Sequence, residues 1–138
     1  MFDSLDDLLA KIRLGEDSTL ELKRVVVRGA RVVAPERDDL ADELAAIGNS
    51  SDGVIVLGVD DRTKEVMGIP AEALDDAERL AREVCNDSIK PPLVARITRI
   101  ELPDIAGIAR PLIKIDVPRS LFVHKSPHGY FHRIGSSK

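Results

Sequence analysis

Hydrophobic positions along this chain change period several times, and each change marks an element. Phe2, Leu5, Leu8, Leu9 and Ile12 recur at helical spacing, with Ser4 or Asp3 able to cap the start and Gly15 able to stop the end. This predicts a first helix over about residues 4 to 13. LELKRVVV then alternates and is rich in β-branched residues, which predicts a strand that breaks around Gly29 and Pro35. Leu40, Leu44 and Ile47 stripe a second helix, capped by Asp38 or Asp39 and ended by a GNSSDG turn. VIVLGV is apolar everywhere except Gly58, the pattern of a central strand buried on both faces.

DDRTKEVMGI predicts a tight return into a short strand carrying Val66, Met67 and Ile69. A third helix begins after Pro70, with Leu74, Ala77, Ala81, Val84 and Cys85 on its inner side, and Pro91-Pro92 ends it. VARITRIEL, RPLIKIDV and GYFHRIG supply three further strands. The expected fold is α+β in a single domain: a mixed, largely antiparallel sheet of about five to six strands packed with two to three helices. Residues 1–14 form an N-terminal helical segment ahead of the body, 15–138.

Composition narrows the chemistry. At 138 residues one core is expected, and with 43% hydrophobic but only 3% aromatic residues, aliphatic side chains must fill it. A large stacking platform for bases is excluded. The net charge of -4 argues against indiscriminate adhesion to polyanions, yet it is unevenly spread. Residues 105–138 hold six basic side chains against the single acid Asp116, a net of +5 that leaves -9 on the remainder. Such a division can mark a polyanion-binding face. Cys85 is the only cysteine and reads as core packing, which suits a reducing compartment. Nothing resembles a secretory signal or approaches the roughly 20 apolar residues of a membrane span. A cytoplasmic protein is expected.

The stretch GEDSTLELKR carries the most suggestive chemistry. Glu16 and Glu21 lie on one face of neither helix nor strand, so they converge only if Asp17, Ser18 and Thr19 turn the chain between them. Glu21 and Lys23 share a strand face, about 7 Å apart at Cα. Metal-assisted phosphodiester cleavage needs hard oxygen ligands for Mg²⁺ or Mn²⁺ and a cation for the charge developing on phosphate. Glu16, Glu21 and a third acid can hold the ion while Lys23 meets the phosphate. Asp60, just past the buried strand, is the best third acid, with Asp61 on the opposite face as the fallback. Set against this, an E-x-K pattern is common on exposed strand faces that do no chemistry.

E-x4-E-x-K, then DELAAIGNSSDGVIVLGVDD, then GYFHRIGSS together resemble the Schlafen-type AlbA-like domain, also described as a divergent ATPase-related domain, over about residues 15 to 137. The resemblance implies an α+β nucleic-acid-binding domain, found in bacteria as DNA-binding or transcription-regulator modules. In animal Schlafens two such lobes form a divalent-metal-dependent RNase acting on transfer and ribosomal RNA. Their acidic motif is similar to Glu16, Glu21 and Lys23, with a further aspartate placed at Asp60. This chain has one lobe, so the paired arrangement requires a homodimer.

Other motifs weigh less. GNSSDG lacks the Lys-Ser/Thr ending of a P-loop and leads into no helix, so no cofactor site is expected there. His124, His128 and His132 are four apart, but Pro127 and Gly129 interrupt any helix that would align them on a metal. Arg28, Arg31, Lys125 and Arg133 are candidates for phosphate contact, though a solvated surface explains each equally well. Tyr130, beside Phe131, is a candidate for base stacking, against which stands an alternating strand that points one of the two aromatics into the core. Three functions therefore stand open. They are a metal-dependent endoribonuclease on structured RNA such as tRNA, a non-catalytic DNA-binding or regulatory module, and a dimerisation domain without a nucleic-acid role.

Overall fold

The computed structural model describes residues 4–15, 19–50 and 52–131. Helix α1 (Leu5–Leu14) starts where Ser4 accepts a hydrogen bond from the Asp7 backbone N–H at 3.1 Å, and ends at Gly15, whose own N–H reaches back to Lys11 and Ile12. The LELKRVVV run divides in two. Strand β1 (Leu20–Lys23) stops at Arg24, and β2 (Val26–Arg28) turns into a ribbon with β3 (Arg31–Ala34). Helix α2 (Arg37–Ser50) begins one residue before Asp38, so Asp38 and Asp39 lie in its first turn. Their charges suit that end of the helix dipole.

Strand β4 (Gly53–Leu57) is buried at every residue. A 3₁₀ turn (Ala71–Ala73) leads into α3 (Leu74–Glu83), which runs on through one π turn (Val84–Ser88) before the prolines. The long strands β5 (Arg96–Pro103) and β6 (Ala109–Val117) follow, then the short ribbon β7 (Lys125–Ser126) and β8 (Gly129–Tyr130). Four strands form the main sheet in the order β1-β4-β6-β5, with β1 parallel to β4 and the other pairs antiparallel. The sheet is mixed and mostly antiparallel, and with three α-helices among the described residues the domain is α+β.

Strand alternation sorts the core into two layers. On one face Ile55, Leu57, Ile113, Ile115 and Val117 meet Leu40, Leu44 and Ile47 of α2 and Ala77 and Ala81 of α3. On the other, Leu20, Leu22, Val54, Val56 and Leu112 meet Leu8 and Ile12 of α1. Helix α2 is enclosed almost all round. GNSSDG is not wholly a turn, because α2 continues through Gly48, Asn49 and Ser50. A Cβ on Gly48 would come within 2.8 Å of Leu93 Cδ1, so a larger residue here would push the Leu93 side chain aside, and the helix carries glycine despite its low helix propensity.

Candidate functional site

Because Leu20 and Leu22 point toward α1, Glu21 and Lys23 must point toward α2. Glu21 is 6% exposed, a carboxylate on the face of the sheet that packs the aliphatic groups of α2. Lys23 Nζ lies 3.8 Å from Glu21 Oε2 and 3.4 Å from Glu43 Oε1 on α2. One ammonium thus stands between two largely buried carboxylates. Ionised groups are retained at such depth when each has a partner.

Asp60 follows the end of β4 by three residues, while Glu21 pairs in register with Ile55 and Lys23 with Leu57. Its Oδ1 accepts the backbone N–H groups of Arg62 and Thr63 at 2.8 and 2.9 Å, closing a loop whose ends bridge at Val59 and Val66. These backbone bonds, chiefly that from Thr63, hold the Asp60 carboxyl below its ordinary range, with the charge of Arg24 adding to the effect. Asp60 is therefore an ionised acid at the rim of the sheet. Asp61 is exposed, and its carbonyl accepts from Lys64 Nζ. Glu16 lies outside the described residues, as do Arg133 and His132.

A second group of potential ligands gathers on the N-terminal half of α2, where Asp42 directly precedes Glu43. Asp39, Asp42 and His128 each bring a ligand atom within 4.8 Å of the others. Such a set of oxygens and an imidazole nitrogen can coordinate a divalent ion. Asp42 is 1% exposed and accepts from Ser126 Oγ at 2.5 Å, while its second oxygen meets His128 Nδ1. Burial pushes the Asp42 carboxyl up, but the Ser126 and His128 bonds outweigh it and leave the group below its ordinary value. The same contact, with the charges of Asp42, Asp38 and Asp39, raises His128.

His124 and His128 are engaged separately. His124 is buried, its Nδ1 2.6 Å from the Pro91 carbonyl and its Nε2 2.6 Å from Ser120 Oγ, whereas His128 belongs to Asp42. Asn49 clasps the C-terminal ribbon: its Nδ2 donates to the carbonyls of His124 and Phe131, both at 2.9 Å, and its Oδ1 accepts from the His124 N–H at 2.7 Å.

The expected phosphate-binding residues divide between two ribbons. Arg28 and Arg31 face each other, exposed, at the tip of β2 and β3. Lys125 pairs with Tyr130, which is 64% exposed, and the Lys125 backbone bonds reciprocally with exposed Lys90. Two other cations of the basic tail are already engaged, Arg110 with Asp104 and Lys114 with Asp116. Among the described residues no helix is long and apolar enough to cross a membrane.

A family profile described as Schlafen, AlbA_2 matches residues 16–138, from the first glutamate of the acidic motif to the last residue. The chain belongs to the Schlafen AlbA_2 family. A similar solved structure is the DIP2311 protein of Corynebacterium diphtheriae, at 20% identity and a TM-score of 0.59; the likeness covers 87% of this chain and 21% of that one. The AlbA_2 chain thus spans about a fifth of that protein, and the likeness is one of fold. No curated protein matches. Within the AlbA_2 domain Glu43, Asp39, Asp42 and Asn49 are the site and clasp residues that motif reasoning missed. Glu43 left a trace: three residues past Leu40 and four before Ile47, it falls on the apolar stripe of α2 where a charge is out of place.

Proposed function

We propose that this AlbA_2 domain binds nucleic acid and carries a divalent-metal-dependent endoribonuclease centre for structured RNA such as tRNA, with two copies supplying the paired arrangement. The observation that carries the reading is Glu21: a nearly buried carboxylate with Lys23 at its side, on a strand whose other inward residues are apolar. Glu16, Glu21 and Asp60 offer oxygen only, the donor type that suits Mg²⁺ or Mn²⁺. When bound, such an ion polarises the phosphate and activates water. Asp60 is kept ionised by its loop, so it needs no deprotonation before serving as a ligand. Lys23 places its ammonium for the charge that develops on phosphate. Arg28 and Arg31 on one ribbon, with Lys125, Tyr130 and Arg133 toward the other, grip the backbone.

The test is cleavage of tRNA by purified protein in Mn²⁺, compared with Glu21→Gln. The variant should be slower by on the order of a hundredfold. Equal rates would expose a contaminating nuclease and remove the chemistry.

A second reading, a non-catalytic DNA-binding or regulatory module, is favoured by the commitment of Asp60 Oδ1 to two backbone N–H groups of its own loop. It predicts binding unaffected by chelator or by Glu21→Gln. Salt dependence is expected under both readings, and the double variant Arg28→Ala, Arg31→Ala should reduce its log–log slope by about 0.7 to 0.9 per lost phosphate contact.

A further inference from the structure

We infer that Glu43 is a positioning residue for Lys23, holding the ammonium away from Glu21 so that a divalent ion can take the Glu21 carboxylate. The inference rests on the metal-centre reading above and names a component that the acidic motif lacks.

Lys23 Nζ is nearer to Glu43 Oε1, at 3.4 Å, than to Glu21 Oε2, at 3.8 Å, and the side chains are 25%, 13% and 7% exposed in the order Lys23, Glu43, Glu21. At this depth charges are poorly screened, so the ammonium and a divalent cation compete for the same carboxylate. An ion arriving at Glu21 repels Lys23 and must displace it. Glu43 gives the ammonium a destination within its present reach, without a move into solvent or a loss of its counter-charge. Lys23 then stays beside the ion, where a phosphate would meet it.

Glu43 is fixed for this task by its element. It lies on α2 between Leu40 and Leu44, both fully buried against the sheet, so the helix cannot shift to relieve a poor contact. The pair is also long-range in sequence, 20 residues apart, which requires α2 to be docked before Lys23 is held.

The experiment is Mn²⁺ titration by calorimetry on four proteins: the Asp39→Asn parent, and that parent carrying Glu43→Gln, Lys23→Met, or both. Asp39→Asn removes one member of the Asp39, Asp42 and His128 group, so that group contributes less uptake. Glu43→Gln should weaken Mn²⁺ binding about tenfold, because the ammonium then relies on Glu21 alone. In the Lys23→Met background the same substitution should change affinity less than about twofold, since no ammonium remains to be placed. A structural role would lower the melting temperature in both backgrounds and leave Mn²⁺ affinity unmoved, which would overturn the inference. So would an equal loss of affinity in both backgrounds, which would make Glu43 a ligand. Failure of the parent to take up Mn²⁺ at all would overturn the metal centre itself, and this inference with it.

Discussion

His128 and Asp42 shift each other's proton affinity in opposite directions, and the pH dependence follows from the signs. His128 is raised above its ordinary 6.5, so its contribution is fully present below that value and is lost as pH climbs through the folded value. Asp42 is lowered below 3.8, so its contribution is present above that value and is lost as pH falls through the folded one. The contact is therefore strongest between pH 3.8 and 6.5. His128→Gln should lower the melting temperature more at pH 5.5 than at pH 8.5, in low salt because the imidazole is partly solvated. An identical drop at both values would mean that the imidazole packs without carrying charge. Cys85 behaves otherwise: burial alone pushes its thiol up to about 11, in keeping with a packing role.

At the scale of elements, Asn49 joins the end of α2 to the C-terminal ribbon through three hydrogen bonds that involve the backbone of His124 and Phe131. Asn49→Ala leaves those backbone groups without the amide, and the expected loss of stability is on the order of 3 kcal/mol. Urea unfolding followed by circular dichroism measures it, and a change below about 0.5 kcal/mol would mean that water replaces the clasp.

The contrast between this clasp and β4 explains how far elements can be read from sequence. VIVLGV announces a central strand because its burial on both faces leaves no polar position. LELKRVVV does not announce its break at Arg24 and Val25, since alternation continues across the point where the chain leaves the sheet. GNSSDG looks like a stop because glycine and serine usually stop helices, and only the close approach of Leu93 reveals why a small residue suits α2 there. For the candidate site, Glu21 and Lys23 were legible from strand parity, which is local. Glu43 and the Asp42–His128 pair were not, because contacts across 20 and 86 residues depend on how α2 docks.

For the whole molecule, the decisive feature is that β1 and β4 run the same way while β4, β6 and β5 alternate. Parallel neighbours need a long connection, here residues 24–52 with a ribbon and α2 inside it. Strands β5 and β6 meet through a tight bend and can zip from it, whereas β1 has no such shortcut. Pulse-labelled refolding should show amide protection in β5 and β6 before β1, and simultaneous protection would argue for all-at-once closure. In the expected order the acid-bearing edge is seated last, so a stalled or incompletely matured chain carries a nearly finished sheet and no assembled site.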